Sequence, residues 1–191
     1  MEKINVIFLL DRSGSMQGAE TDTIGGYNSF LKKQKDNTLI TTVLFDDEYE
    51  MLYYRENIGK VKKLTTSEYF VRGCTALYDA IGKTINKIEK DVKNEKVLFV
   101  ITTDGLENAS KEYHKEDIRK LIKKHSKWEF IYLGANIDSY AEGSSIGIKS
   151  SNISNYKKSR KGIQDMFSGV ALACEAVCND CFDESWKNSI E

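Results

Sequence analysis

Along this chain, apolar runs alternate with stretches in which apolar residues recur every three or four positions. The first run, residues 4–10 (INVIFLL), is rich in β-branched and aromatic types, the pattern of a central strand buried on both faces. Residues 39–45 (LITTVLF) and 49–55 (YEMLYYR) are also strand-like, with only Asp46, Asp47 and Glu48 between them. That gap is too short for a crossover, so the two must pair as an antiparallel hairpin. KVLFVITT, ending at Asp104, and EFIYLGA at 129–135 predict two more buried strands, and residues 151–156 a weak one.

Helical spacing fills the intervals. Ile24, Tyr27, Phe30, Leu31 and Gln34 mark a first helix, although Gly25 and Gly26 weaken it by up to about 2 kcal/mol relative to alanine. Leu77, Ala80, Ile81, Ile85 and Ile88 mark a second, and Ile118, Leu121, Ile122 and His125 a third. A short helix follows over 138–146, then a long one carrying Ile163, Met166, Phe167, Val170, Ala171, Cys174 and Val177. This alternation predicts an α/β fold: a doubly wound, mostly parallel central sheet with one antiparallel edge hairpin strand and helices on both faces. A single domain over residues 1–191 is expected. The chain contains no proline, so element boundaries rest on Gly, Asn, Asp and Ser.

Composition narrows the partners. A formal net charge of −1 offers no basic excess for nucleic acid or an anionic membrane surface. No run approaches the roughly 18 apolar residues of a spanning helix. The opening run leads into DRSGS rather than a small-residue cleavage site, so it reads as a strand and not a secretory signal; a cytoplasmic protein is expected. Cys74, Cys174, Cys178 and Cys181 do not form the evenly spread framework of a disulfide-rich domain, and reduced thiols are expected.

In open α/β sheets, ligands bind beyond the carboxyl ends of the strands. The first strand ends in Asp11, with Ser13 and Ser15 just after it; Gly73-Cys74-Thr75 precedes the second helix; the fourth strand runs into Asp104. Two carboxylates and three hydroxyls, all oxygen donors, select a hard cation such as Mg²⁺, Mn²⁺ or Ca²⁺ over zinc or copper.

Asp11-x-Ser13-x-Ser15 after a buried strand, Thr75 in GCTALYDA and Asp104 in VITTDGLEN together resemble the metal-ion-dependent adhesion site of von Willebrand factor A domains. The order of elements resembles that Rossmann-like fold over essentially the whole chain. The resemblance implies that Ser13, Ser15 and Thr75 coordinate Mg²⁺ or Mn²⁺, with Ca²⁺ less favoured, and that Asp11 and Asp104 support it largely through water. It implies a protein partner that completes the metal shell with a carboxylate, and a binding module rather than an enzyme. A stand-alone intracellular type, bacterial- or phage-like, serving assembly of a complex that can include an ATPase, is the expectation. The chain departs from many relatives in having Gly73-Cys74 where they carry paired glycines. Asp79 also fits a frequent family pattern, without an assignable metal role.

The rival is a Mg²⁺-dependent phosphotransfer enzyme of the haloacid-dehalogenase type. Such chemistry wants a second acid two residues after the nucleophilic Asp; Ser13 stands there. Cys174-x-x-x-Cys178-x-x-Cys181 has the spacing of radical-SAM iron-sulfur loops, but Cys174 and Cys178 extend an apolar helix face and read as structural thiols. His114 and His125 read as solvated, and Asp46-Asp47-Glu48 as a solvated hairpin tip. Leu52, Tyr53 and Tyr54 are expected on an edge strand open to contacts.

Overall fold

The computed structural model describes residues 3–190. Strands β1 (Ile4–Asp11), β2 (Thr38–Phe45), β3 (Tyr49–Asn57), β4 (Lys96–Thr103), β5 (Glu129–Gly134) and β6 (Ile153–Asn155) form one sheet. Their order is β3-β2-β1-β4-β5-β6. Only the β2–β3 pair is antiparallel, the hairpin that its short connection requires. Helices α1 (Glu20–Lys32), α2 (Leu77–Ile88), α3 (Lys115–Lys124), α4 (Ser139–Ser145) and α5 (Arg160–Cys178) supply the crossovers and the covering layers. The winding reverses between β1 and β4, which places a crevice beyond their carboxyl ends.

Every residue of β1 is buried, and its alternating side chains feed two cores. Ile4, Val6, Phe8 and Leu10 pack with Tyr27 and Phe30 of α1 and Met166, Phe167 and Val170 of α5. Ile7 and Leu9 pack with Ala80, Ile81 and Ile85 of α2 and Ile118 and Ile122 of α3. Each fully buried Phe, Leu or Ile stabilises the fold by about 1.5–3 kcal/mol, so β1 is fixed from both sides and its end is a rigid platform.

Of the paired glycines that weaken α1, Gly26 has a packing reason, whereas a Cβ on Gly25 would meet nothing within 4 Å. A Cβ on Gly26 would stand 2.2 Å from a ring carbon of Phe167, so α5 approaches α1 only because that position has no side chain. The first helix ends at Lys32, short of Gln34, whose side-chain amide instead donates to the Phe30 carbonyl at 3.0 Å.

Strand β3 lies at the edge of the sheet, as expected for Leu52, Tyr53 and Tyr54, but it is irregular. Its pairing with β2 slips in register between Ile40 and Val43, and Arg55 adopts a left-handed φ of 48°. The Arg55 guanidinium reaches across the sheet to Asn5 at 3.0 Å and Glu95 at 2.6 Å.

His114 is exposed at the start of α3, as a solvated histidine should be. His125 is not solvated: its ring stacks on Trp128 with centroids 4.2 Å apart, and its Nε2 lies 2.9 Å from Glu89 Oε2. The α3 terminus folds back over α2, and neither feature is visible in the local pattern. Cys174 is buried with its thiol on Gln34, Cys178 is half-buried, and Cys181 is exposed beyond the end of α5; all four cysteines are free. The buried Trp186 indole donates to the Ser151 carbonyl at 3.1 Å, pinning the C-terminal segment beside β6. Among the described residues, no helix is long and apolar enough to cross a membrane.

Candidate metal centre

The site begins where β1 stops. Asp11 is buried at the strand terminus, and its two carboxylate oxygens accept from the Ser13 backbone N–H at 2.7 Å and the Thr103 hydroxyl at 2.6 Å. Burial pushes the Asp11 carboxyl up to about 6, against the pull of the hydrogen bonds from Ser13 and Thr103. The Tyr69 hydroxyl donates to the Asp11 carbonyl, so the strand end is also clamped from the β3–α2 connection.

A single 3₁₀ turn over Gly14–Met16 curls the chain back so that the Ser13 and Ser15 hydroxyls are 3.1 Å apart. Ser15 donates to Asp104 Oδ1 at 2.5 Å, joining the β1 loop to the end of β4. The Thr75 loop is held from two directions. Gly73 accepts from the Gly14 N–H at 3.1 Å, and Asn108 both accepts from the Thr75 N–H at 2.9 Å and donates its own N–H to the Thr75 carbonyl at 3.0 Å. Gly73 has φ 65°, in the left-handed region that favours glycine, and a Cβ there would meet Asp47 Oδ1 at 1.7 Å.

Gly105 reveals the convergence. A Cβ at this position would stand 2.9 Å from Thr75 Oγ1, 3.1 Å from Ser15 Oγ and 3.9 Å from Ser13 Oγ. Three hydroxyls from two loops therefore surround one small space, kept open because residue 105 has no side chain. Asp104 adjoins it through Ser15, and Asp11 stands behind Ser13, so all five residues singled out from the sequence come together. Among the described residues no group of three or more His, Cys, Asp or Glu gathers as a metal-holding cluster. The donor set here is hydroxyl-rich and all-oxygen, which fits a hard divalent cation and does not fit a soft one.

Several neighbours carry no sequence motif of their own. Thr103 holds Asp11, Asn108 holds Thr75, and Lys158, in the β6–α5 connection, places its ammonium 2.8 Å from Asp104 Oδ2. The run TTDGLEN contains Thr103 and Asn108 and could have signalled them; nothing around Lys158 could.

In the acidic hairpin turn Asp47 and Glu48 are exposed, as a solvated tip should be, but Asp46 is not. Asp46 is fully buried, 3.0 Å from Arg12 Nε and 2.8 Å from Arg72 Nε. Arg12 is buried too; its Nη1 reaches Glu50 at 2.7 Å, and the Phe70 ring lies over both guanidiniums, with centroid distances of 5.3 and 5.5 Å. Asp79 does not reach the hydroxyl cluster. Its carboxylate accepts from the backbone N–H groups of Lys111, Glu112 and Tyr113, each at 2.9 Å. Burial alone would raise its pKa, but these three donors outweigh it and hold the carboxyl below its ordinary value.

No protein-family model and no curated protein matches the chain. Solved structures do. A mussel byssus proximal thread matrix protein 1, described with a zinc-occupied MIDAS motif, shares 17% identity at TM-score 0.65, over 91% of this chain and 46% of that one. A von Willebrand factor type A structure from Catenulispora acidiphila shares 13% at TM-score 0.67, over 91% and 42%. The ArnB paralog VWA2 from Sulfolobus acidocaldarius shares 17% at TM-score 0.64, over 86% and 45%. This chain therefore spans less than half of each. Identities this low establish a common fold, and the phosphotransfer alternative finds no support among these neighbours.

Proposed function

Proceeding from the von Willebrand factor A fold that these neighbours share with it, we propose that this chain is a metal-dependent protein-binding module. The Ser13, Ser15 and Thr75 hydroxyls hold Mg²⁺ or Mn²⁺, and Asp11 and Asp104 supply supporting charge. The observation that carries this reading is the convergence of those three hydroxyls on the space beside Gly105.

The chemistry follows from charge. Hydroxyl ligands are neutral, so a divalent ion held by them and backed by only two carboxylates keeps a strong attraction for a further anionic oxygen. A side-chain carboxylate of a partner protein supplies it. Binding of this kind needs no nucleophile or general base, and Ser13 stands where a phosphotransferase of the rival type needs an acid. We assign no enzymatic activity. Four free cysteines, two of them exposed, suit a reducing compartment and favour a cytoplasmic role in assembling a protein complex.

Linkage gives the test. A cation that binds only the folded state, present at about 100 times its dissociation constant, adds roughly 2.7 kcal/mol of stability. Thermal denaturation with millimolar Mg²⁺ or Mn²⁺ should show the gain, and the Ser13→Ala/Asp104→Ala double variant should lose it. An unchanged melting temperature together with no calorimetric binding would overturn the reading. Capture of a partner that is lost with chelator and lost in the double variant tests the second half.

A further inference from the structure

Lys158 precedes Ser159, the residue that caps α5, and so belongs to a loop outside the three that bring Asp11, Ser13, Ser15, Thr75 and Asp104 together. Its ammonium is 2.8 Å from Asp104 Oδ2 and also donates to the Ser15 backbone carbonyl. The other Asp104 oxygen takes the Ser15 hydroxyl at 2.5 Å. Asp104 is thus engaged on one side by a candidate metal ligand and on the other by a fixed positive charge. The pair is well shielded: the Asp104 side chain is 1% exposed and that of Lys158 20%. At this burial, charge interactions are weakly screened by salt.

We propose that Lys158 is a built-in counter-charge that competes with the divalent cation for Asp104 and thereby couples cation binding to the arrival of a carboxylate. The inference rests on the metal-binding reading above. A divalent ion beside Ser15 and Asp104 meets an ammonium within one hydrogen bond of the same carboxylate, and the two cations repel. Binding of the ion alone is weakened. An incoming carboxylate cancels the surplus positive charge and offers oxygens to both cations. By reciprocity, the ion strengthens carboxylate binding by the same factor by which the carboxylate strengthens ion binding. Lys158 is a tuning residue in this scheme, not a ligand. It selects for an anionic partner because only an anion relieves the repulsion.

The experiment is calorimetric titration of Mn²⁺ into the full chain, as the wild type, Lys158→Met and Lys158→Arg, each with and without sodium acetate as a model carboxylate. The expected result is Mn²⁺ binding about tenfold tighter in Lys158→Met, the scale of coupling inside one ion-pair network. Lys158→Arg, which keeps the charge, should behave as the wild type. Acetate should tighten Mn²⁺ binding more in the wild type than in Lys158→Met. Equal or weaker Mn²⁺ binding by folded Lys158→Met, with the wild type still binding, overturns this inference and leaves the metal site standing. No Mn²⁺ binding by either folded protein overturns the metal site and this inference together. Circular dichroism in chelator establishes folding, and Lys158→Gln replaces the methionine variant if that one does not fold.

Discussion

Asp11 and Asp46 leave neighbouring parallel strands at nearly the same level, Asp11 opposite Phe45 and Asp46 one residue further on. Both are buried, yet they are neutralised in opposite ways. Asp46 sits between two guanidiniums, Arg12 and Arg72, and needs nothing from outside. Asp11 is held by a backbone N–H and a threonine hydroxyl, and among the described residues no cation pairs with its carboxylate. Burial is common to both; the source of the positive charge is not. One aspartate is part of the scaffold, and under the proposed function the other is part of a metal-binding site. Asp104, with a single lysine, stands between the two extremes.

The sharpest way to break this contrast is to remove the internal cation of the scaffold acid. Arg12→Met leaves buried Asp46 with Arg72 alone, and breaking a buried pair from one side costs about 3–5 kcal/mol, readable as a lower urea midpoint. Asp11→Asn should do the reverse in chelator: no loss of stability, because the amide oxygen still accepts from Ser13, and Thr103 accepts as readily as it donates. With saturating Mg²⁺ the same variant should lack most of the roughly 2.7 kcal/mol gain of the wild type. A destabilised Asp11→Asn in chelator would make Asp11 scaffold as well and erase the distinction.

Smaller effects sharpen it. Asp79 is an acid held chiefly by backbone N–H groups, with Lys83 a lesser charge partner, so Asp79→Asn should cost about 2 kcal/mol, the range for hydrogen bonds to a charged group, without altering Mg²⁺ affinity. Its pKa lies below the unfolded value, so this contribution is present above the ordinary carboxylate value of 3.8 and fades as the pH falls through the folded one. Equilibrium unfolding at several acidic pH values checks the sign. Least of all, Glu89→Gln removes the contacts to Lys124 and His125 near the surface and should cost less than about 1 kcal/mol; a greater loss would mean that the α3 terminus is held by charge rather than by the Trp128 stack.

The α/β order, the hairpin and the convergence of Asp11, Ser13, Ser15, Thr75 and Asp104 are legible in the sequence for one physical reason: each is written in local period or in strand-end position. Charge partners are not local. Asp46 reads as a turn residue because its cations come from Arg12 and Arg72, on other loops. Lys158 reads as one of several surface lysines because only the fold sets it against Asp104. His125 was misread for the same reason, since Glu89 belongs to the preceding helical layer. The glycines worked in the other direction. Gly26 counted against a helix, and only the Phe167 contact shows what it makes possible.

The irregular edge strand has a consequence for self-association. A long, flat outer strand is a template onto which a second chain can add, copying the ladder indefinitely. The register slip in β3 and the left-handed Arg55 twist that ladder out of line, and Glu50, Arg55 and Glu56 stud it with charge. Such irregularities work against ladder extension through this margin, at the side of the sheet away from the carboxyl ends of β1 and β4 where the proposed site lies.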